Sequence, residues 1–135
     1  MSPAAAVMLR LALVAPVALL AAPAAAGDAA RGKALALDRQ KGFCLLCHAA
    51  PVPEARFQGD IGPDLAGAGE RWSLAELRER VAHARRLNPA SVMPSYADTA
   101  AQRQVGAAWR DRPLLQPDEI DDVVAWLASL RARRP

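Results

Sequence analysis

Cys44 and Cys47 are the only cysteines of the chain, and they stand in the run Cys44-Leu45-Leu46-Cys47-His48. Two thiols with two residues between them, followed at once by an imidazole, form the pattern that attaches a c-type haem. Each thiol adds to one of the two haem vinyl groups, and the two intervening residues match the span between the vinyls. The adjacent His48 is then left under the iron, where it can serve as an axial ligand. Two other chemistries use part of this pattern. A thioredoxin-type dithiol would sit after a strand in a βαβ unit, which is not seen here. A zinc site would need two further ligands, for which only His48 and His83 are on offer. The run predicts one covalently bound haem c.

A low-spin haem takes a sixth ligand. Beyond the first 26 residues the only methionine is Met93, in Asn88-Pro89-Ala90-Ser91-Val92-Met93-Pro94. A loop there could carry the sulfur over the distal face; the alternative is a plain core methionine. His83 competes, but at about 100° per residue it falls on the far side of its helix from Leu74, Leu77 and Val81. It lies instead among Glu76, Glu79, Arg80 and Arg86 and reads as solvated. The segment Gly62-Pro63-Asp64-Leu65 follows the attachment run. Its proline carbonyl could accept the Nδ1–H of an axial His48 and fix the ring, or the segment is a simple turn. Arg71 and Trp72 are candidates to pair with a haem propionate, against an ordinary surface contact. A thioether ligand favours reduced iron and raises the potential, and six-coordinate iron leaves no position for a substrate. Electron transfer is the chemistry this set predicts, with no catalytic side chain on the chain itself.

Three helical segments must position these groups. The first runs from about Asp28 to Lys41, with weak periodicity. The second opens on Ser73-Leu74-Ala75-Glu76, a capping box, carries Leu74, Leu77, Val81 and Ala84 as its apolar stripe, and ends at Asn88-Pro89. The third starts at Pro117, with Asp118, Glu119, Asp121 and Asp122 complementing its N-terminus and Ile120, Val123, Val124, Leu127 and Leu130 as its buried face. Between them, residues 49–72 and 87–116 are rich in Pro and Gly and lack the alternation of strands. Loops of this length are uncommon in a compact domain unless they bind something. The expected architecture is all-α, three main helices and long loops wrapped around one haem.

Arg10 followed by the apolar run Leu11–Leu20 and then Ala24-Ala25-Ala26 has the form of a secretory signal peptide. The run is too short for a membrane span of about 20 residues; an uncleaved signal anchor is the alternative. Residues 1–26 are thus expected to be a leader and residues 27–135 a periplasmic domain. The full chain has 135 residues, 17 Lys+Arg against 14 Asp+Glu, and 4% aromatic residues. A core so lean in aromatics leaves room for a large prosthetic group. The net charge of +3, without a basic run, excludes a nucleic-acid footprint.

Taken in order, Gly27-Asp28-Ala29-Ala30-Arg31-Gly32-Lys33, the attachment run, Gly62-Pro63-Asp64-Leu65, Met93-Pro94 and Ile120-Asp121-Asp122-Val123-Val124-Ala125-Trp126-Leu127 resemble class I cytochromes c. That resemblance implies crossed first and last helices, with Gly32 close against the face near Trp126. Phe57-Gln58-Gly59-Asp60-Ile61-Gly62-Pro63-Asp64-Leu65-Ala66-Gly67-Ala68-Gly69-Glu70-Arg71-Trp72, with Asn88-Pro89, Val92-Met93-Pro94 and Arg112-Pro113-Leu114-Leu115, is similar more narrowly to the SoxX subunits of thiosulfate-oxidising SoxXA cytochromes. The resemblance implies a SoxA-like partner whose haem carries the catalytic cysteine, and a SoxYZ-like carrier whose cysteine receives thiosulfate. It also implies a c-type cytochrome as electron acceptor. The chain would then be a non-catalytic subunit of an L-cysteine S-thiosulfotransferase, with haem iron on His48 and Met93. A free electron shuttle and a haem-based gas sensor are the competing classes.

Overall fold

The computed structural model describes residues 27–100, 102 and 104–133, so the expected leader lies outside the described residues. The described residues form five α-helices and two 3₁₀ turns and contain no strand. They are α1 (Ala29–Leu37), α2 (Ala68–Arg71), α3 (Leu74–Ala82), α4 (Ala84–Leu87) and α5 (Pro117–Ser129), with 3₁₀ turns at Cys44–Leu46 and Ala107–Trp109. None of the helices is long and apolar enough to cross a membrane.

Asp28 starts α1 by accepting the backbone N–H groups of Ala30 at 2.8 Å and Arg31 at 3.1 Å, which satisfies first-turn donors. The helix stops four residues before Lys41. Asp38 ends it, because its carboxylate captures the Gln40 N–H at 2.7 Å and its carbonyl accepts from Phe43 at 2.7 Å. An aspartate that bonds its own downstream backbone competes with helix continuation. The capping box of α3 forms as its sequence predicts, with Ser73 N–H donating to Glu76 at 2.8 Å and Glu76 N–H returning to Ser73 Oγ at 3.3 Å.

The second helix is not continuous to Asn88. It breaks at His83, whose backbone sits at φ −137° and ψ 43°. The cause is tertiary: the N–H groups of Tyr96 and Ala97 donate to the carbonyls of Val81 and Ala82, each at 3.1 Å. Those carbonyls are thereby withdrawn from the helical ladder, and the chain restarts as α4.

The buried side of α5 is Ile120, Val123, Val124, Trp126 and Leu127, with Leu130 just beyond it. Helix α1 crosses it at close range. A Cβ built on Gly32 would lie 1.9 Å from the Asp122 carbonyl oxygen, so only glycine permits this approach. The closest contact is therefore at Asp122–Val123, one turn before Trp126. The crossing is fastened by Asp122, which is buried yet accepts the Asp28 N–H at 2.6 Å and a forked pair from Arg31 at 2.8 and 3.0 Å.

The Arg31 guanidinium holds the Asp122 carboxyl below the usual carboxylate range. A carboxyl depressed by folding stabilises the fold above its unfolded pKa of about 4, and that contribution fades as pH falls through the lower folded value. Asp122→Asn is expected to lower the melting temperature at pH 7 by several degrees, and the gap to the parent should close as the pH drops below that range. Thermal melts followed by circular dichroism at both ends would check it.

Candidate haem site

Phe43 enters the attachment run in the left-handed conformation, φ 42°, and the 3₁₀ turn follows at once. The Cys47 and His48 N–H groups both return to the Cys44 carbonyl, at 3.2 and 3.0 Å. The turn is anchored by buried Leu45. Along it runs the 57–65 segment: Gly59 N–H donates to Leu45 at 2.9 Å, Gly62 to Cys47 at 2.7 Å and Leu65 to Ala49 at 2.8 Å. Gln58 closes the loop between, accepting from Ala50 at 2.7 Å and donating to Val52 and Ala55 at 3.1 and 2.9 Å. Sequence reasoning gave Gln58 no role; the amide acts through carbonyls and an N–H that no side-chain pattern reveals.

His48 Nδ1 lies 2.7 Å from the Pro63 carbonyl oxygen. A proline carbonyl can only accept, so Nδ1 carries the proton and Nε2 keeps its lone pair for a metal. The ring lies against Gly62, where an added Cβ would stand 2.3 Å from His48 Cε1. Arg71 secures the segment just beyond: Nη1 donates to Ala66 at 2.6 Å and Nη2 to Asp64 at 3.0 Å. The structure thus brings Cys44, Cys47, His48, Pro63 and Arg71 into one loop cluster.

Burial pushes the Cys44 thiol up to about 11. A redox dithiol needs the opposite shift, since the thiolate is the reactive form. No three His, Cys, Asp or Glu side chains converge as a metal site among the described residues.

Met93 is half-buried and packs against the core. Its loop is shaped by Asn88, which accepts the N–H groups of Ser91 at 2.9 Å and Ala90 at 3.1 Å, and by Ser91 Oγ, which accepts from Met93 at 3.2 Å. Tyr96 then ties this loop to the attachment run. Its buried hydroxyl donates to the Gly42 carbonyl, and its ring lies 5.6 Å from that of Phe43. Burial holds the phenol above its ordinary pKa, so it remains a donor. Tyr96→Phe should cost about 1–2 kcal/mol by orphaning the Gly42 carbonyl, to be read as a lower denaturant midpoint at unchanged slope.

His83 is not solvated. It is half-buried at the α3–α4 break, with Nδ1 2.7 Å from Asp98 Oδ1. Trp72 carries the guanidinium of Arg80 on its ring, with Cζ 3.5 Å from the centroid. Arg80 was grouped with the polar side of its helix, but its Nε is buried and has no hydrogen-bond partner. The signal in the sequence was its place on the flank of the Leu77–Val81 stripe.

These features fit a c-type haem: two thiols on one turn, an imidazole with its outer nitrogen fixed and its inner one free, a glycine that leaves the ring its space, and a buried guanidinium nitrogen without an acceptor. Residues 29–131 match the family model described as Cytochrome c. A chain in the crystal structure of SoxXA from P. pantotrophus superposes with a TM-score of 0.72, at 32% identity over 79% of this chain and 84% of that one. No curated protein matches. The fold is the all-α class I cytochrome c fold, and the chain belongs to the cytochrome c family, as a SoxX-like member.

Proposed function

We propose that this chain is the electron-accepting subunit of a periplasmic SoxXA-type enzyme that oxidatively joins thiosulfate to a cysteine of a carrier protein. The observation that carries this reading is the match, at 32% identity, over 84% of a chain of SoxXA from P. pantotrophus. Residues 1–26 direct export, and Cys44 and Cys47 hold one haem c by thioether bonds. When bound, that group supplies a one-electron store. His48 would offer Nε2, and Met93 its sulfur, as ligands to the iron of that group. Pro63 orients the imidazole through the 2.7 Å contact at Nδ1, and Arg71 holds the loop that carries Pro63. Tyr96 keeps the Met93 loop against the attachment run. With both thiols used for attachment, the sulfur chemistry falls to a SoxA-like partner acting on a SoxYZ-like carrier. Electrons leave this chain for a c-type cytochrome.

A free shuttle is the competing reading. A shuttle usually docks through a pronounced ring of lysines, whereas this chain has two, Lys33 and Lys41, ion-paired with Glu54 and Glu119, and surface arginines such as Arg39 and Arg56 besides. That favours a fixed partner. Gentle isolation from the host grown on thiosulfate should yield a second haem-staining polypeptide co-eluting in stoichiometric amount, and the pair should be reduced by thiosulfate plus the carrier protein. Elution of the chain alone would hand the function to the shuttle reading.

A further inference from the structure

Pro63 gives its carbonyl to His48 at 2.7 Å and has no N–H of its own by which to be held. Its neighbours must therefore fix its position. Upstream, the Gly62 N–H is bonded to the Cys47 carbonyl at 2.7 Å. Downstream, Asp64 is held at its carbonyl by Arg71 at 3.0 Å, at Oδ1 by the Ala66 N–H at 2.8 Å and at Oδ2 by Arg133 at 3.3 Å. Arg71 and Ala66 belong to α2 and the loop itself, whereas Arg133 comes from beyond α5.

The residues that follow α5 run across α2 on the way. The Gly69 N–H donates to the Leu130 carbonyl at 3.2 Å, and the Ala132 N–H donates to Glu70 Oε2 at 3.0 Å. A Cβ built on Gly69 would lie 1.9 Å from the Ala128 carbonyl oxygen, so α2 sits directly on the last turn of α5. Asp122 in turn locks α5 to α1 through Arg31. The Arg133 and Asp64 side chains are 59% and 46% exposed, and an ion pair so open to water adds little to stability. Direction is what it supplies. The Pro63 carbonyl and the Asp64 nitrogen share one planar peptide unit, so turning Asp64 turns the oxygen that faces His48 Nδ1.

We propose that residues 130–133 form a strap that aims the Pro63 carbonyl at His48, with Asp64 and Arg133 as its positioning residues. The strap links the α1–α5 crossing to the imidazole. A firmly bonded Nδ1–H makes the ring a more basic ligand, which lowers the potential of the iron it holds. The assignment rests on the ligand role proposed for His48 and is independent of which partner the chain serves.

The test follows solvent exchange of the His48 Nδ1–H by NMR, and the midpoint potential, in the haem-loaded full chain. Asp64→Asn keeps an acceptor for Ala66 and Arg133→Gln keeps a polar side chain at an exposed site, so what each loses is the ion pair. Each should quicken the exchange several-fold and raise the potential, at a melting temperature close to the parent's. The double variant should match the singles, since all three remove the same interaction. Parent-like exchange and potential in the two single variants would overturn the proposal, whatever their melting temperatures. Should the variants not accumulate, the parent decides. Salt screens an exposed pair, so exchange should quicken as ionic strength rises, and exchange indifferent to salt would overturn the proposal. A parent chain without covalent haem would overturn it together with the reading of His48 beneath it.

Discussion

Replacing Met93 with alanine is expected to lower the reduction potential by about a hundred millivolts or more, because a thioether ligand favours ferrous iron and its loss removes that preference. The sulfur-to-iron charge-transfer band of the oxidised protein should vanish, and an added ligand such as imidazole should bind where the parent excludes it. The cost in stability should be modest, about 2 kcal/mol for truncating a half-buried methionine. The loop itself survives, since Asn88, Ser91 and Tyr96 shape it through backbone hydrogen bonds that the substitution leaves alone. His83→Ala is the control. Its ring is bonded to Asp98 at the helix break, so its removal should reduce stability and leave the visible spectrum as it was. An unchanged spectrum in the Met93 variant would move the chain toward the sensor class, where the distal position is open.

Much of this site could be read before folding because its chemistry is local. The thiols and His48 lie within one turn, and Pro63 reaches the imidazole by a segment that runs straight back along that turn. Helices α3 and α5 were equally legible, as capping residues and apolar spacing act within a few positions. Part of what escaped was set by distant backbone. The break at His83 comes from the N–H groups of Tyr96 and Ala97, and no local propensity marks it. The early end of α1 depends on Asp38 turning to its own backbone, a choice that Phe43 at φ 42° completes. Arg80 was hidden for another reason: a cation beside an apolar stripe reads as solvated until its stem is found enclosed.

Gly62→Ala should act on the His48 imidazole directly. The new methyl would stand 2.3 Å from His48 Cε1 and 2.5 Å from Nδ1, far inside contact distance, so one side must yield. Rotation of the imidazole would break its bond to Pro63 and release the tautomer that presents Nε2. A shift of the 61–63 backbone would stretch the Gly62 N–H bond to Cys47, now 2.7 Å, and carry the Pro63 carbonyl away with it. Either route costs about 1–3 kcal/mol in packing strain and misaligns the imidazole proposed to ligate the iron. The variant should attach haem, since both cysteines are intact, yet show a mixed-spin oxidised spectrum and a midpoint potential spread over more than one population. A parent-like spectrum with a sharp single potential would show that the ring's position does not depend on Gly62. The axial role proposed for His48 would then rest on the Pro63 bond alone, and that bond is testable by replacing Arg71 at the end of α2, whose contacts to the Ala66 and Asp64 carbonyls hold the loop in place.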